Sequence, residues 1–93
     1  MKPYIQTKES TQQEVETLEK TAHQLLIYND DINSFDWVIE CLMKYCGHEY
    51  EQAGQCALII HNKGKCSVKQ GDLDKLTPIK EALLDAHLDA RID

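Results

Sequence analysis

The chain has 93 residues, with 10 Lys and Arg against 16 Asp and Glu, giving a formal net charge of −6. That length suits one small domain with a modest core of its own, and excludes a substrate domain beside a cofactor domain. The charge balance excludes the basic footprint that nucleic-acid phosphates or an anionic membrane require, while 42% hydrophobic and 28% charged residues describe an ordinary globular chain.

Residues 1–22 differ from the rest. Val15 and Leu18 are their only branched aliphatics after Ile5, among many Lys, Glu, Gln and Thr. Such a stretch buries too little apolar surface to offset its ordering entropy. It is expected to be a flexible tail, helical or strand-like near Glu14–Lys20, preceding a core domain over 23–93. It contains no apolar run that could act as a signal peptide. The longest apolar run in the chain is Cys56-Ala57-Leu58-Ile59-Ile60, against the ~20 residues that a spanning helix needs. A cytoplasmic protein is therefore expected.

Gln24-Leu25-Leu26-Ile27-Tyr28 is a short apolar run that stops at Asn29-Asp30-Asp31, which predicts a strand entering a turn. Asn33-Ser34-Phe35-Asp36 then reads as a helix cap with an acidic first turn. The helix should turn Phe35, Val38, Leu42 and Tyr45 inward and end at Gly47. A second helix is expected over about Glu49–Asn62, with Tyr50, Ala53, Ala57 and Ile60 inward, Cys56 and Ile59 beside them, and Gly64 as its stop.

Lys65-Cys66-Ser67-Val68-Lys69 alternates and predicts a second strand, followed by a turn at Gly71-Asp72. Proline inside a helix costs ~3 kcal/mol or more. The spacing therefore predicts a short turn at Leu73–Leu76, then a helix from Pro78 to about Ala86 capped by Thr77. Leu88-Asp89-Ala90-Arg91-Ile92 predicts a third strand at a sheet edge. The order β-α-α-β-α-β implies an α+β domain with a small three-stranded antiparallel sheet packed on helices.

The four cysteines, Cys41, Cys46, Cys56 and Cys66, include no CxxC pair. Reduced, structural thiols are the favoured reading over a disulfide framework or a metal site. The chain lacks the phosphate-loop, dinucleotide, nucleophile-elbow and HExxH patterns. Cys46 and His48 sit close together at a helix end, where a polar terminus explains them better than a nucleophile without an orienting third group. No enzyme activity, cofactor or metal is expected.

Two features stand out: Asn29-Asp30-Asp31 directly after a strand, and His61 in the last turn of a helix. Each has an ordinary explanation, as a turn cluster and as a complement to the helix dipole. Together they offer a carbonyl, a carboxylate and an imidazole lone pair, a set that suits the three donors of a primary ammonium. Ile32, Phe35, Val38, Ala57 and Ile60 would form an apolar hollow beside them. An ammonium site next to an apolar hollow suits the first residue of a polypeptide.

Leu25 to Asp31, Phe35-Asp36-Trp37-Val38-Ile39-Glu40, and Ala53 to His61-Asn62-Lys63-Gly64-Lys65 resemble the ClpS family, adaptors of the bacterial Clp ATP-dependent protease. The resemblance runs from about His23 to Val68 and more loosely to the C-terminus. It implies a fold like the C-terminal domain of the ribosomal stalk protein. It also implies a non-enzymatic adaptor, expected to be monomeric, for N-degron polypeptides beginning with Leu, Phe, Tyr or Trp. Its implied partner is the N-terminal domain of a Clp AAA+ unfoldase, with no nucleic acid and no membrane. An alternative is a regulatory interaction domain of the same fold without amine recognition.

By the resemblance, Asn29 and His61 contact the α-amino group, and Asp30 and Asp31 assist. Val38 and Ile60 are walls, Ile27 supports the floor, and Leu88 matches a residue of the last strand. Two departures stand beside this. Asn33-Ser34-Phe35 replaces a Thr-Pro-Met segment, and Ala57 replaces a Met gatekeeper. Together they predict a pocket with relaxed exclusion of larger or β-branched first residues and an added aromatic contact. For docking, Asp74 matches an acidic residue of the family, and Lys75 or Lys80 substitutes for its lysine. The tail over 1–22 matches the family's flexible extension.

Overall fold

A computed structural model of the protein describes residues 23–93, so the tail expected over 1–22 lies outside the described residues. Strand β1 (His23–Tyr28) leads to helix α1 (Phe35–Cys46) and helix α2 (Tyr50–Lys63). Strand β2 (Lys65–Gly71), helix α3 (Leu73–Asp85) and strand β3 (Asp89–Ile92) follow. The sheet order is β2-β1-β3, with both pairings antiparallel. This is the expected α+β architecture with β3 at an edge. None of the helices is long and apolar enough to cross a membrane, among the described residues.

β1 is central because its alternate residues Leu25 and Ile27 are the ones that bury, at 0% and 1% exposure. They meet Leu42, Leu76 and Leu83, also fully buried, in one core. The β1–β2 register slips between Leu25 and Leu26, leaving Val68 as an extra residue on β2. This bulge turns the Val68 side chain into the core. Its carbonyl accepts from Nε2 of the buried His48 at 2.7 Å. A carbonyl only accepts, so Nε2 carries a proton, while Nδ1 is buried without a hydrogen-bond partner among the described residues. His48 is therefore a buried tie between the end of α1 and β2 and not the polar helix terminus expected.

α1 is capped by Ser34, whose Oγ accepts from the Trp37 N–H at 3.1 Å, and it stops at Gly47 in the left-handed region (φ 73°). Its inward face differs from the expected one. Ile39, Cys41, Leu42 and Cys46 are buried, whereas Phe35 is exposed and Val38 and Tyr45 are half-buried. Leu42 is common to both faces, and the buried face is offset from the expected one by only about a third of a residue step, roughly 35°. That seats the small thiol of Cys46 against the core and leaves the amphipathic Tyr45 at the boundary with water. In α2, Ala53, Ala57 and Ile60 are buried as expected, but Tyr50 is exposed. Tyr50 begins the helix, where a ring with a polar tip reaches solvent at little cost.

α3 corrects the expected break. It is continuous over Leu73–Asp85 with Pro78 inside it. Thr77 is within the helix and donates its hydroxyl to the Leu73 carbonyl at 2.7 Å. The first turn is retained because it carries Leu76, which is fully buried. Burying Leu76 is worth about 1.5–3 kcal/mol, which offsets most of the roughly 3 kcal/mol that an internal proline costs.

Candidate functional site

The site forms where β1 ends beside the end of α2. The Asn29 N–H donates to the Gly64 carbonyl at 2.8 Å, and the Gly64 N–H donates to the Ile60 carbonyl at 2.9 Å. Gly64 adopts a left-handed backbone (φ 97°) that reverses the chain after Lys63. His61 lies in the last turn of α2, so these bonds set it against the Asn29–Asp31 segment.

Asp30 organises that segment. Its Oδ1 accepts from the backbone N–H groups of Ile32 and Asn33, each at 2.9 Å, and its Oδ2 accepts from Asn33 Nδ2 at 2.9 Å. Burial raises its pKa, but the three hydrogen bonds outweigh burial and hold the carboxyl below its ordinary value. Both carboxylate oxygens are thus committed to the turn. The turn reading of this acidic cluster is physically realised: Asp30 builds the loop, and Asp31 lies exposed beside it.

A cavity of about 540 Å³ opens here, within the size range of small-ligand sites. Asn29, Asp30, Asp31 and His61 line one side of it, and Val38, Ala57 and Ile60 the other, with Asn33 and Phe35 completing its lining. The charged side chains on it are the two aspartates. Phe35 remains 45% exposed and does not fill the room beside Ala57. A smaller cavity of about 20 Å³, room for roughly one water, shares Asn29, Asn33, Val38 and Ile60 with it and reaches Ile27 and Leu88.

The expected residues therefore separate. Most of them converge on the main cavity. Ile27 and Leu88, buried, line the smaller one. Ile32 lines neither and is 86% exposed, because the Asp30 carboxylate holds its backbone in the outer bend of the turn. It is not a wall of the hollow. Asp74 and Lys75 lie exposed in the first turn of α3, and Lys80 is half-buried further along it; none lines the cavity.

Sequence reasoning missed two ties. Asn33 Nδ2 donates to the His87 carbonyl at 2.7 Å, and Trp37 Nε1 donates to the Ala86 carbonyl at 3.1 Å. Partners about fifty residues apart leave no local pattern to read. The four cysteines are free thiols, none lining the cavity. Burial pushes the Cys46 thiol up to about 11, against the opposing pull of Lys69, and pushes the Cys66 thiol up to about 11 as well. Such thiols stay protonated and unreactive. No group of three or more His, Cys, Asp or Glu is arranged to hold a metal ion, among the described residues.

The family model for the ATP-dependent Clp protease adaptor protein ClpS matches residues 18–90. Two ClpS adaptors, from Campylobacter jejuni subspecies jejuni and subspecies doylei, are each 33% identical over 57 residues. Those matches span 61% of this chain and 59% of the length of the relatives. Among solved structures, the Agrobacterium tumefaciens ClpS2 bound to L-phenylalaninamide superimposes with a TM-score of 0.74 at 14% identity. The superposition covers 76% of this chain and 93% of that one, a likeness of fold.

Proposed function

The chain belongs to the ClpS family of ATP-dependent Clp protease adaptors, and from that premise we propose that its cavity receives the first residue of a polypeptide. The free α-amino group and a bulky apolar side chain would be bound together, and the captured chain handed to a Clp AAA+ unfoldase. The observation that carries this reading is the division of one 540 Å³ cavity into an acceptor-lined side and an aliphatic side.

An α-ammonium brings three donors and one charge. Asn29 offers a carbonyl oxygen, His61 an imidazole lone pair and Asp31 a charged acceptor. Asp30, whose oxygens are already taken, shapes the loop and adds negative charge nearby. The first side chain would lie along Val38, Ala57 and Ile60. The bound phenylalaninamide of the Agrobacterium protein, an amine carrying an aromatic side chain, supports this reading.

Binding of this kind asks for no covalent step, and the reading assigns none. Substrates in this proposal begin with Leu, Phe, Tyr or Trp. The partner is the N-terminal domain of the unfoldase, meeting α3 at Asp74 and Lys75, both exposed, with Lys80 beyond them.

The test is fluorescence anisotropy with four peptides, identical except for Phe or Met at position one, each with a free or an acetylated amine. Tight binding of the free-amine Phe peptide alone is the expected result. Equal or absent binding of all four overturns amine recognition and leaves a ClpS-like interaction domain whose partner binds elsewhere.

A further inference from the structure

The Asn33 side chain is committed at one end and open at the other. Its Nδ2 donates to Asp30 Oδ2 at 2.9 Å and to the His87 carbonyl at 2.7 Å. A carboxylate and a carbonyl only accept, so the nitrogen must face both of them, and the amide admits a single orientation. Both amide hydrogens are thereby used. The remaining atom, Oδ1, accepts no hydrogen bond from the described residues, and it is not among their polar atoms buried without a partner. Asn33 is half-buried, so this oxygen is an acceptor that a ligand can reach.

Its place in the lining separates it from the amine acceptors. Asp31 and His61 line only the main cavity of about 540 Å³, whereas Asn29, Asp30, Asn33, Val38 and Ile60 line both it and the space of about 20 Å³ beside it. Asn33 thus shares its position with two of the aliphatic walls. Of the polar residues in that shared lining, Asn29 serves the α-amine in the functional reading, and the carboxylate oxygens of Asp30 are taken by the turn. Asn33 Oδ1 is the acceptor left over beside the walls where the first side chain would lie.

We propose that Asn33 is a specificity-determining residue whose Oδ1 accepts a hydrogen bond from the first side chain, so that the cavity favours Tyr over an apolar ring of the same shape. The inference rests on the functional reading above. A phenol brings a donor to this oxygen. A ring without one displaces water from the carbonyl and leaves it unpaired, which costs more than the pairing itself is worth. A site that hydrogen-bonds a substrate hydroxyl rejects the analogue lacking it for the same reason. The amide cannot swing aside to relieve the loss, because rotation would break both bonds from Nδ2.

The experiment uses the full chain and free-amine peptides identical except for Tyr or 4-methylphenylalanine at position one. The second has the outline of Tyr with a methyl group in place of the hydroxyl. Apolar transfer alone favours the methyl group, so a preference for Tyr reports a hydrogen bond. Anisotropy titrations of the parent chain should show Tyr bound about fivefold or more tightly than 4-methylphenylalanine. Asn33→Leu, similar in size and without the acceptor, should bring the ratio to about one or below, with urea unfolding followed in parallel. The comparison within the parent chain stands even if that variant folds poorly. Equal or tighter binding of 4-methylphenylalanine by the parent chain overturns the proposal. So does a Tyr preference that survives in folded Asn33→Leu, which would give the hydroxyl to another acceptor. An acetylated Tyr peptide that binds as tightly as the free amine overturns the functional reading instead, so the two failures are distinguishable.

Discussion

The Asn29 N–H donates to the Gly64 carbonyl across 2.8 Å, and this one bond brings the end of β1 against the end of α2. Asn29 and Asp31 arrive from one side, and His61 arrives from the helix turn that Gly64 terminates.

Gly64→Ala tests that junction. A Cβ at this position meets nothing within 4 Å, so the cost comes from the left-handed backbone (φ 97°) alone. Urea unfolding should show a loss of about 1–2 kcal/mol. Peptide affinity should fall with it, because the carbonyl that orients Asn29 shifts. Unchanged stability and affinity would mean that the chain reversal tolerates a side chain and does not depend on glycine.

Asn29→Ala and His61→Ala should each weaken binding of a free-amine Phe peptide by about tenfold or more, the usual worth of a hydrogen bond to a charged group. Both residues are exposed, so thermal stability should stay close to that of the parent chain. Anisotropy titrations check the first point and melting curves the second.

Ala57 lines the apolar side with only a methyl group, and Phe35 leaves that space open. Peptides beginning with Ile or Val should therefore bind within about tenfold of the Leu peptide, a gap the size of one or two methylenes of apolar contact. Ala57→Met should fill the room and selectively weaken Trp, Ile and Val. If the parent chain binds Leu and Phe but not Ile at all, the small residue confers no relaxation.

Asp30 gives a stability signature in acid. Its folded-state pKa lies below the ordinary 3.8 because hydrogen bonds from Asn33 and Ile32 outweigh burial. A depressed carboxylate contributes stability that is complete above the unfolded pKa and is lost as pH falls through the folded one. Asp30→Ala should therefore be less stable than the parent near neutrality, and the gap should narrow below pH 3.8. Urea midpoints at a series of pH values measure this; a gap independent of pH would assign the loss to shape and not to charge.

Much of the fold was legible locally. The alternation of Leu25 and Ile27, the caps at Gly47 and Gly64, and the Ala53–Ala57–Ile60 stripe each follow from spacing alone. Pro78 misled because a local cost was weighed without the burial of Leu76 that offsets most of it. The face of α1 misled because Phe35, Val38, Leu42 and Tyr45 form as good an apolar stripe as the one that buries, and only the neighbouring sheet and helices choose between them. Ile32 misled because apolar character says nothing about which way a turn residue points once Asp30 has claimed its backbone.

By itself, then, the sequence determined the order of elements, their stops and the residue types able to meet an ammonium beside an apolar side chain. These are consequences of 3.6- and 2-residue periodicity, of glycine at left-handed positions and of donor and acceptor chemistry, all of which act within a few residues. Only the tertiary structure decided that Asp30 builds the loop while Asp31 lies exposed beside the cavity. It alone decided that Phe35 leaves room beside Ala57, and that Asn33 reaches His87 across 54 positions. A bond between distant segments forms because packing brings its ends together, and no short-range pattern encodes that meeting.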